Sequence, residues 1–484
     1  MSERAHFFRY GSAVIAPRVF DDLSMRGLFT TRCLSLLGRP CGPEEIKRRQ
    51  RFFRELEDGD SLSVARQIER ALADHLAARR LLHERTSGLV LLYRRILAAK
   101  RYVSLCETLL TASERFGVFA DLAGSQDSCL CADSTQKALG LIEKIDVLLS
   151  EISAFDISVT DKTYIAAPGT GEPVASELSR IAIRLGYVTE ERTGGTLATP
   201  DSGLSDAVRR LYGGQILKIE ELLADESLDC RTDFEPLFDE LSFAVEITLL
   251  MQRMKERGIP VTYPSVTDTP GYVAKDVYHP ALAASGAVVV PNDADISGDD
   301  RVFCLLGANG GGKTTYLQAL GANLVLFLSG CPVLAKEASV YPYSLILTHF
   351  AGRESEGYSG RFDEETERMK ECFGTAEDYP GRCFWLINEA FSGTSEAKGA
   401  ETLYGTLRRI SDQGDCAVCV THFSSFADQE FGVLAAEAEE DAGGGASRTY
   451  RIVRRNRFGG VYARDILKKY RLDRDSLKER RSEK

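Results

Sequence analysis

The stretch Val302–Thr315, VFCLLGANGGGKTT, decides the fold of this 484-residue chain. Its first five residues are apolar and predict a buried strand, and Thr315–Leu328 continues with a helical pattern. The turn between them matches GxxxxGK[ST], the pattern of a phosphate-binding P-loop. Glycines let backbone N–H groups form a nest for phosphate oxygens, and the helix adds its positive N-terminal dipole. We expect Lys313 to reach the β- and γ-phosphates of a nucleotide and the Thr314 hydroxyl to ligate Mg²⁺.

A GxxxxGK[ST] pattern on its own can arise by chance. Here a predicted strand precedes it and a predicted helix follows it, which is the context that the motif requires. The sequence therefore predicts an α/β nucleotide-binding domain with ATP and Mg²⁺ as ligands. The predicted ATP-binding residues of this stretch are Gly307, Asn309, Gly310, Gly311, Gly312, Lys313, Thr314 and Thr315.

A second apolar run, Cys383–Ile387, ends in Asn388-Glu389 and predicts a strand that brings a carboxylate to the phosphates. In this position Glu389 would orient or deprotonate the attacking water. The alternative is a solvated carboxylate at a strand end. The P-loop upstream favours the catalytic interpretation, in which Glu389 acts together with Lys313.

A third apolar run, Ala417–Val420, ends in Thr421-His422. A histidine here can hydrogen-bond a γ-phosphate and act in catalysis, whereas a lone histidine is more often structural. Ligands of open α/β sheets bind outside the carboxyl ends of the strands. We therefore expect the P-loop, Glu389 and His422 to converge on one phosphate site.

The first half of the chain has a helical pattern, with apolar residues three and four apart. The predicted helices are Ser63–His83, Gly88–Leu110, Gln136–Ile152, Leu204–Ala224 and Phe234–Arg257. A stretch rich in Gly, Pro and Thr, 155–199, interrupts this pattern, and strands alternate with helices after about residue 270. We predict a multidomain fold, with an α-helical half over 1–265 followed by an α/β P-loop ATPase domain over 266–484.

The net charge of −11 argues against indiscriminate binding to nucleic acid. Residues 1–100 differ, because Lys and Arg outnumber Asp and Glu there. The basic region Lys47–Arg49, with Arg51 and Arg54, could face the phosphates of a nucleic acid. The alternative is a solvated helix face with local salt bridges.

The charged N-terminus lacks the apolar core of a signal peptide, and the apolar runs are too short to span a membrane. We therefore expect a cytoplasmic protein without a membrane partner. The 12 cysteines are scattered. Although Cys416–Cys419 has CxxC spacing, it lies in a strand-like run, so we predict buried free thiols and no structural metal.

Together these motifs resemble the MutS family of mismatch repair ATPases, a branch of the ABC superfamily. GANGGGKTTYLQAL (307–320) is similar to the family's GPNMGGKSTY. LINEAFSGTSEAKGA (386–400) resembles LMDEIGRGTSTYDG, and VTHFSSF (420–426) resembles ATHYFEL. The resemblance implies an ABC-type ATPase domain with composite nucleotide sites in a homodimer.

Further segments extend the resemblance over roughly 270–475. Tyr278–Pro280 and Val290–Asp293 resemble segments that precede the family's P-loop, and Tyr462–Tyr470 is similar to its tail. By this resemblance His279 and Asn292 bind ATP. Val289 is a candidate for the adenine pocket, although packing in the core explains it equally well.

The helical half also fits the family. Glu45–Leu56 resembles the start of the MutS core domain, and Phe234–Ser265 resembles the lever helix that returns to the ATPase. A reduced clamp would lie near 155–203. The residues that the resemblance assigns to the signature and dimer contact are Gly360, Arg361, Phe362, Ser392, Gly393, Thr394 and Ser395.

Two positions depart from the family's pattern. Asn388 stands where the family usually has the Asp that holds Mg²⁺ through water, so metal affinity and turnover are expected to be lower. In the signature, Gly360–Phe362 replaces the usual Ser-Thr-Phe. Arg361 either supplies positive charge in place of the serine hydroxyl or forms a surface salt bridge with Asp363 or Glu364.

A third departure concerns function. The chain begins almost at the core domain, so we expect it to lack the family's mismatch-recognition and connector domains. The resemblance then implies a dimeric ATPase clamp on branched or otherwise non-standard double-stranded DNA. The alternative is a nucleotide-gated scaffold with weak or no hydrolysis that binds a protein or ribonucleoprotein. A transporter ATPase is disfavoured, because nothing resembles the LSGGQ signature.

Overall fold

The computed structural model of the chain contains helices and mixed sheets and describes most of the sequence. The described residues are 8–84, 88–119, 132–152, 155–160, 163–168, 202–228, 232–298, 300–350, 361–428, 430–440 and 446–455. They form two compact units, one from residues 58–242 and the other from residues 8–57 together with the chain after 242. The fold is therefore multidomain, and one unit is assembled from two separate parts of the sequence.

The elements are numbered along the chain. The helices of the described residues are α1 Pro17–Asp22, α2 Thr31–Leu37, α3 Pro43–Leu56, α4 Gly59–Leu82, α5 Gly88–Arg115, α6 Ala132–Glu151, α7 Ser202–Leu222, α8 Glu235–Glu256, α9 Pro280–Ser285, α10 Lys313–Leu328, α11 Arg361–Glu377 and α12 Glu396–Asp412. The strands there are β1 Phe155–Thr160, β2 Thr163–Pro168, β3 Ser265–Val266, β4 Tyr272–Val277, β5 Asn292–Ile296, β6 Val302–Leu306, β7 Glu337–Val340, β8 Leu345–Phe350, β9 Cys383–Asn388, β10 Cys416–Val420, β11 Gly432–Glu440 and β12 Ala446–Arg455.

The unit of residues 58–242 is built from long helices. The Asp58 side chain caps α4 by accepting a hydrogen bond from the Ser61 N–H, which satisfies one of the free donors at the helix start. Its apolar core joins α5, α6 and α7, with Ile96, Ile145 and Ile219 among the buried side chains. The five long helices predicted from apolar spacing are confirmed, and their ends lie within a few residues of the predicted ones.

The main sheet of the other unit has the strand order β12-β11-β6-β10-β9-β8. All neighbours are parallel except β12, which runs antiparallel to β11. The three predicted apolar strands are β6, β9 and β10, and β6 and β10 are buried along their whole length. Such continuous apolar runs are typical of central strands covered on both faces. Their carboxyl ends lie at one edge of the sheet, where the predicted catalytic residues follow.

The buried Asp415, directly before β10, bonds β9 near the amino ends of these two strands. Its carboxylate accepts hydrogen bonds from the Cys383 N–H at 2.9 Å and from the Trp385 indole N–H at 2.8 Å. Trp385 is 1% exposed, so its N–H group needs such a partner. A smaller sheet, in the order β3-β7-β4-β5, lies in the same unit.

Residues 8–57 pack against the elements of the main sheet. The Cys41 N–H donates to the Leu328 carbonyl at 2.9 Å, and Arg49 donates to the Ser329 carbonyl at 3.2 Å. Arg49 is fully buried. The chain therefore folds its N-terminal segment onto α10, the helix that follows the P-loop. The predicted boundary near residue 265 separates functional regions of the chain and not compact units, and it stays a prediction.

Three side chains of the basic region in this segment are paired with glutamates. Lys47 bonds Glu44, whereas Arg48 and Arg49 both bond Glu45. These contacts favour local salt bridges over a phosphate-binding face for Lys47–Arg49. Among the described residues, no helix is long and apolar enough to cross a membrane.

Candidate nucleotide-binding site

The P-loop connects β6 to α10 through a turn that requires glycine. Gly307 has φ +135°, and a Cβ added there would lie 2.9 Å from the Ala436 Cβ. Gly312, which caps α10, has φ +89°. Both values lie in the left-handed region, which glycine adopts without steric cost. The predicted turn is thus present, with its backbone curled at the start of a 16-residue helix.

Lys313 lies inside the curl of the P-loop and is 5% exposed. Its ammonium group donates hydrogen bonds to the Gly307 carbonyl at 2.8 Å and the Ala308 carbonyl at 3.1 Å. Burial lowers the pKa of Lys313, and the charge of Glu389 opposes that shift. A buried ammonium group with neutral partners is well placed to pair with a phosphate.

Thr314 and Asn388 are the residues that could hold a divalent cation. The Thr314 hydroxyl donates to the Asn388 side-chain oxygen at 3.0 Å, so the end of β9 touches the first turn of α10. Mg²⁺ prefers oxygen ligands and keeps several waters. One hydroxyl and one amide oxygen fit such a water-bridged ion, although neither brings a negative charge.

Glu389 follows β9 directly and lines the same cavity as Lys313. Its N–H donates to the Val420 carbonyl at 2.9 Å, which ties it to the end of β10. The backbone has φ +53° at Glu389 and +60° at Phe391. Left-handed backbone at non-glycine residues is strained and is concentrated at functional sites.

The cavity around these residues has a volume of about 550 Å³. The predicted residues that line it are His279, Asn292, Asn309, Gly310, Gly312, Lys313, Thr314, Thr315 and Glu389. Gly307 and Gly311 shape the turn behind this lining. Val289, the candidate for the adenine pocket, also lines the cavity, together with its neighbours Val288 and Val290.

His279 and Asn292 both have protein partners. His279 is 3% exposed, and its Nε2 lies 3.4 Å from the Gln318 Oε1. Burial lowers the pKa of His279. The Asn292 amide donates to the Tyr450 carbonyl at 3.0 Å, and its oxygen accepts from the Ile452 N–H at 2.7 Å. Asn292 therefore positions β12 beside the cavity.

Tyr450 is a lining residue that sequence reasoning missed. It has φ +56° and lies where the pairing register between β11 and β12 shifts. Its ring lies close to Gly312. A β-bulge can change the direction of a side chain next to an active site. The sequence before β12 is rich in glycine but contains no pattern that predicts a bulge at Tyr450.

His422 follows β10 but is exposed. Its ring centroid lies 4.4 Å from that of Phe423, and it is not among the described residues that line the cavity. The loop Ser392–Ser395 precedes α12, with Ser395 at its N-cap. Gly393 and Ser395 are exposed, so this loop is accessible. The roles of His422 and the loop stay predictions.

The signature segment is described only in part. Gly360 lies outside the described residues, and α11 begins at Arg361. The Phe362 ring lies 5.9 Å from that of Phe391, and the Lys398 ammonium group lies 4.2 Å from the Phe362 ring centroid. The start of α11 therefore contacts the segment that follows Glu389.

The fold and this site define an α/β protein with a P-loop. No family model matches the chain. It is similar to the Endonuclease MutS2 of Solidesulfovibrio magneticus, with 30% identity over 146 residues, which cover 30% of this chain and 19% of that protein. It is also similar to the DNA mismatch repair protein MSH3 of Lodderomyces elongisporus, with 26% identity over 194 residues, 39% of this chain and 19% of that protein.

A longer match, 25% identical over 358 residues, is to the DNA mismatch repair protein MutS of Erythrobacter litoralis. It covers 67% of this chain and 40% of that protein. These homologues, MutS2, MSH3 and MutS, all belong to the MutS family, and the resemblance to that family is thereby confirmed. The chain spans well under half of the length of each of these relatives.

Proposed function

We propose that this protein is a Mg²⁺-dependent ATPase of MutS type that acts as a dimeric clamp on branched or otherwise non-standard double-stranded DNA. One observation carries the ATPase part of the proposal, and the clamp on DNA rests on the family resemblance. A single cavity joins the P-loop ammonium group of Lys313, the Thr314 hydroxyl bonded to Asn388, and the carboxylate of Glu389. This is the set of groups that phosphoryl transfer to water requires.

The residues divide the chemistry among them. Lys313 exchanges its carbonyl partners for phosphate oxygens and stabilises their charge. Glu389 orients the attacking water and accepts its proton. Thr314 and, through water, Asn388 would hold the ion. Bound Mg²⁺ supplies charge neutralisation for the phosphates.

The proposed assembly contains two of the regions that the family resemblance implies. Residues 1–265 would form the core and lever region, with a reduced clamp near 155–203, and residues 266–484 the ABC-type ATPase domain. Each nucleotide site would combine one subunit's P-loop with the partner's signature segment and its Ser392–Ser395 loop. Coupling to DNA requires that ATP bind the open and closed states with different affinity.

A specific observation favours a second candidate, a nucleotide-gated scaffold for a protein or ribonucleoprotein partner. Acidic residues outnumber basic ones between 58 and 242, and several basic side chains there are paired, such as Lys100 with Asp146 and Lys137 with Asp225. In contrast, Val147 and Leu217 are 58% and 57% exposed. Phosphate backbones attract unpaired cations, whereas exposed apolar side chains suit a protein surface.

Binding to a fluorescent four-way DNA junction separates the two candidates. With Mg²⁺ and ATP, we expect the protein to bind the junction at least about tenfold more tightly than a linear duplex of the same sequence, at fixed salt. ADP should weaken this preference, and the junction should change the rate of phosphate release. If ATP binds while DNA has no effect on either measurement, the DNA clamp is wrong and the scaffold replaces it.

Asn388→Asp should strengthen the metal site. A carboxylate next to the Thr314 hydroxyl adds a negative charge near the ion, so we expect half-maximal turnover at a Mg²⁺ concentration about three- to tenfold lower. The measurement is the ATP hydrolysis rate as a function of free Mg²⁺ concentration. Asn323→Asp is unsuitable as a control, because Asn323 is buried and bonded to backbone groups. Gln413→Glu, which adds the same charge at an exposed position outside the cavity lining, serves as the control instead. An unchanged Mg²⁺ requirement would separate Asn388 from the metal.

A further inference from the structure

Asp22, at the end of α1, bonds two other elements of its own compact unit through its carboxylate. Its Oδ2 accepts hydrogen bonds from the Thr348 hydroxyl at 2.6 Å and from the Arg368 guanidinium at 2.9 Å. The Asp22 side chain is 15% exposed. Thr348 lies on β8 and Arg368 on α11, so one carboxylate fastens a helix to a strand.

The main chain of Asp22 points to a different part of the same unit. The Gln318 amide donates to the Asp22 carbonyl at 2.8 Å and to the Ser24 hydroxyl at 3.1 Å. Gln318 lies on α10, and its Oε1 is 3.4 Å from the Nε2 of His279, which lines the nucleotide cavity. One residue thus connects to the cavity through its backbone and to α11 through its side chain.

Arg368 holds α11 at a second point. Its other terminal nitrogen donates to the Phe350 carbonyl at 2.7 Å, at the end of β8. The first turn of α11 carries Phe362, whose ring packs on Phe391, two residues after Glu389. A change in the hydrogen bonds of Arg368 would therefore move α11 where Phe362 contacts Phe391, next to Glu389.

The arginine side chains around Asp22 do not have hydrogen-bond partners among the described residues for all of their buried nitrogen atoms. Arg18 of α1 also bonds α11, through the Glu371 carboxylate at 3.3 Å and the Cys372 Sγ at 3.2 Å. Within the described part of the chain, the Nε atoms of Arg18 and Arg368 are buried without a hydrogen-bond partner. Buried polar atoms nearly always have a partner, and exceptions often mark functional sites. A second arrangement of the guanidinium groups, in which these atoms are bonded, would give α11 the two states that coupling requires.

We infer that Asp22 is a positioning residue that transmits occupancy of the nucleotide cavity to α11 through Gln318 and Arg368. The inference rests on the proposed function, since α11 begins at the predicted signature segment. Asp22 does not touch the cavity itself. Its loss should therefore leave nucleotide affinity intact while the response of α11 disappears.

The test is hydrogen exchange of the α11 amides, with and without Mg²⁺-ATP, in wild type and in Asp22→Asn. Asparagine keeps the shape of aspartate but loses the charge that holds Arg368, so the charge-assisted hydrogen bond to the guanidinium group is weakened. We expect ATP to slow exchange in wild-type α11 about tenfold and to have little effect in Asp22→Asn. Fluorescent ATP should bind both proteins within about twofold.

Two controls distinguish positioning from a loss of structure. The exposed neighbour Asp21, paired with Arg26, can be changed to Asn, and this variant should behave as wild type. Arg368→Gln should abolish the response of α11 as Asp22→Asn does. Together the two changes should lower the free energy of unfolding by less than the sum of their separate effects, because they remove the same bond. Additive effects would indicate two independent structural defects and would overturn the inference.

The outcomes separate this inference from the function on which it rests. If wild type binds ATP and α11 exchange does not respond, or if Asp22→Asn responds as wild type, this inference is wrong and the ATPase proposal stands. If affinity and α11 protection fall together in Asp22→Asn, Asp22 is structural only. If wild type does not bind ATP, both proposals fail.

Discussion

Lys313→Ala is expected to weaken ATP binding by about 100-fold or more. The ammonium group of Lys313 is buried inside the P-loop and donates its hydrogen bonds to neutral groups, two carbonyls and the Asn309 side-chain oxygen. Each charged hydrogen bond that it would make to a phosphate contributes about 1.5–3 kcal/mol, and about 1.4 kcal/mol corresponds to a tenfold change in affinity. Titration of a fluorescent ATP analogue measures the loss.

Lys370→Ala is the matched control for this prediction. Lys370 lies on α11, is 68% exposed and pairs with Glu367. Its removal should leave ATP affinity within about twofold, since exposed ion pairs contribute at most about 1 kcal/mol to stability. Equal affinity of Lys313→Ala and wild type would show that the nucleotide binds elsewhere or not at all.

Glu389→Gln is expected to lower ATP turnover by about 100-fold or more and to leave ATP affinity within about threefold. Glutamine has the shape of glutamate but cannot accept the proton of the attacking water, and general-base catalysis contributes about 10²–10⁴-fold. Steady-state phosphate release and nucleotide titration, made on the same preparation, give both quantities.

Glu401→Gln controls for the loss of one carboxylate in the same region. Glu401 is exposed on α12 and does not line the cavity. Its turnover should match wild type. If Glu389→Gln also turned over at the wild-type rate, another group would have to activate water, and His422 is the predicted catalytic residue left to test.

The strands that carry the site were predictable because their sequences are continuous apolar runs. Val302–Leu306 has the predicted bounds, and Cys383–Asn388 begins at the predicted residue and ends within the predicted Asn388-Glu389 end. Parallel pairing of both strands with β10 then brings their carboxyl ends to one edge. Local sequence also gave the P-loop, since the left-handed backbone at Gly307 and Gly312 requires glycine. This part of the site was predictable because it depends on residues that are adjacent in the sequence.

The contacts of the N-terminal segment were not predictable, because they join residues that are far apart in sequence. Asp22 meets Arg368, 346 positions later, and charge pattern gives no hint of that pairing. Arg49 reads as a surface residue among other basic residues, yet it is fully buried and bonded to Glu45 and two backbone carbonyls. Tertiary packing, which local patterns do not encode, decides both positions.

The approach of Tyr450 to the cavity depends on backbone geometry. Tyr450 has a left-handed backbone conformation at the register shift between β11 and β12. Its carbonyl accepts a hydrogen bond from the side chain of Asn292, 158 residues earlier in the chain. Sequence reasoning singled out Asn292 by resemblance but assigned it to ATP. The geometry gives it protein partners on both its amide and its oxygen, which is a role that only the fold reveals.

Phosphate release by the wild-type protein, with ATP and with or without Mg²⁺, tests the central claim most directly. The account predicts steady turnover that requires Mg²⁺ and disappears in Lys313→Ala. Turnover should also be slow, because Asn388 brings no charge to the metal. Tight ATP binding without any Mg²⁺-dependent phosphate release would contradict the claim that this cavity is an ATPase site.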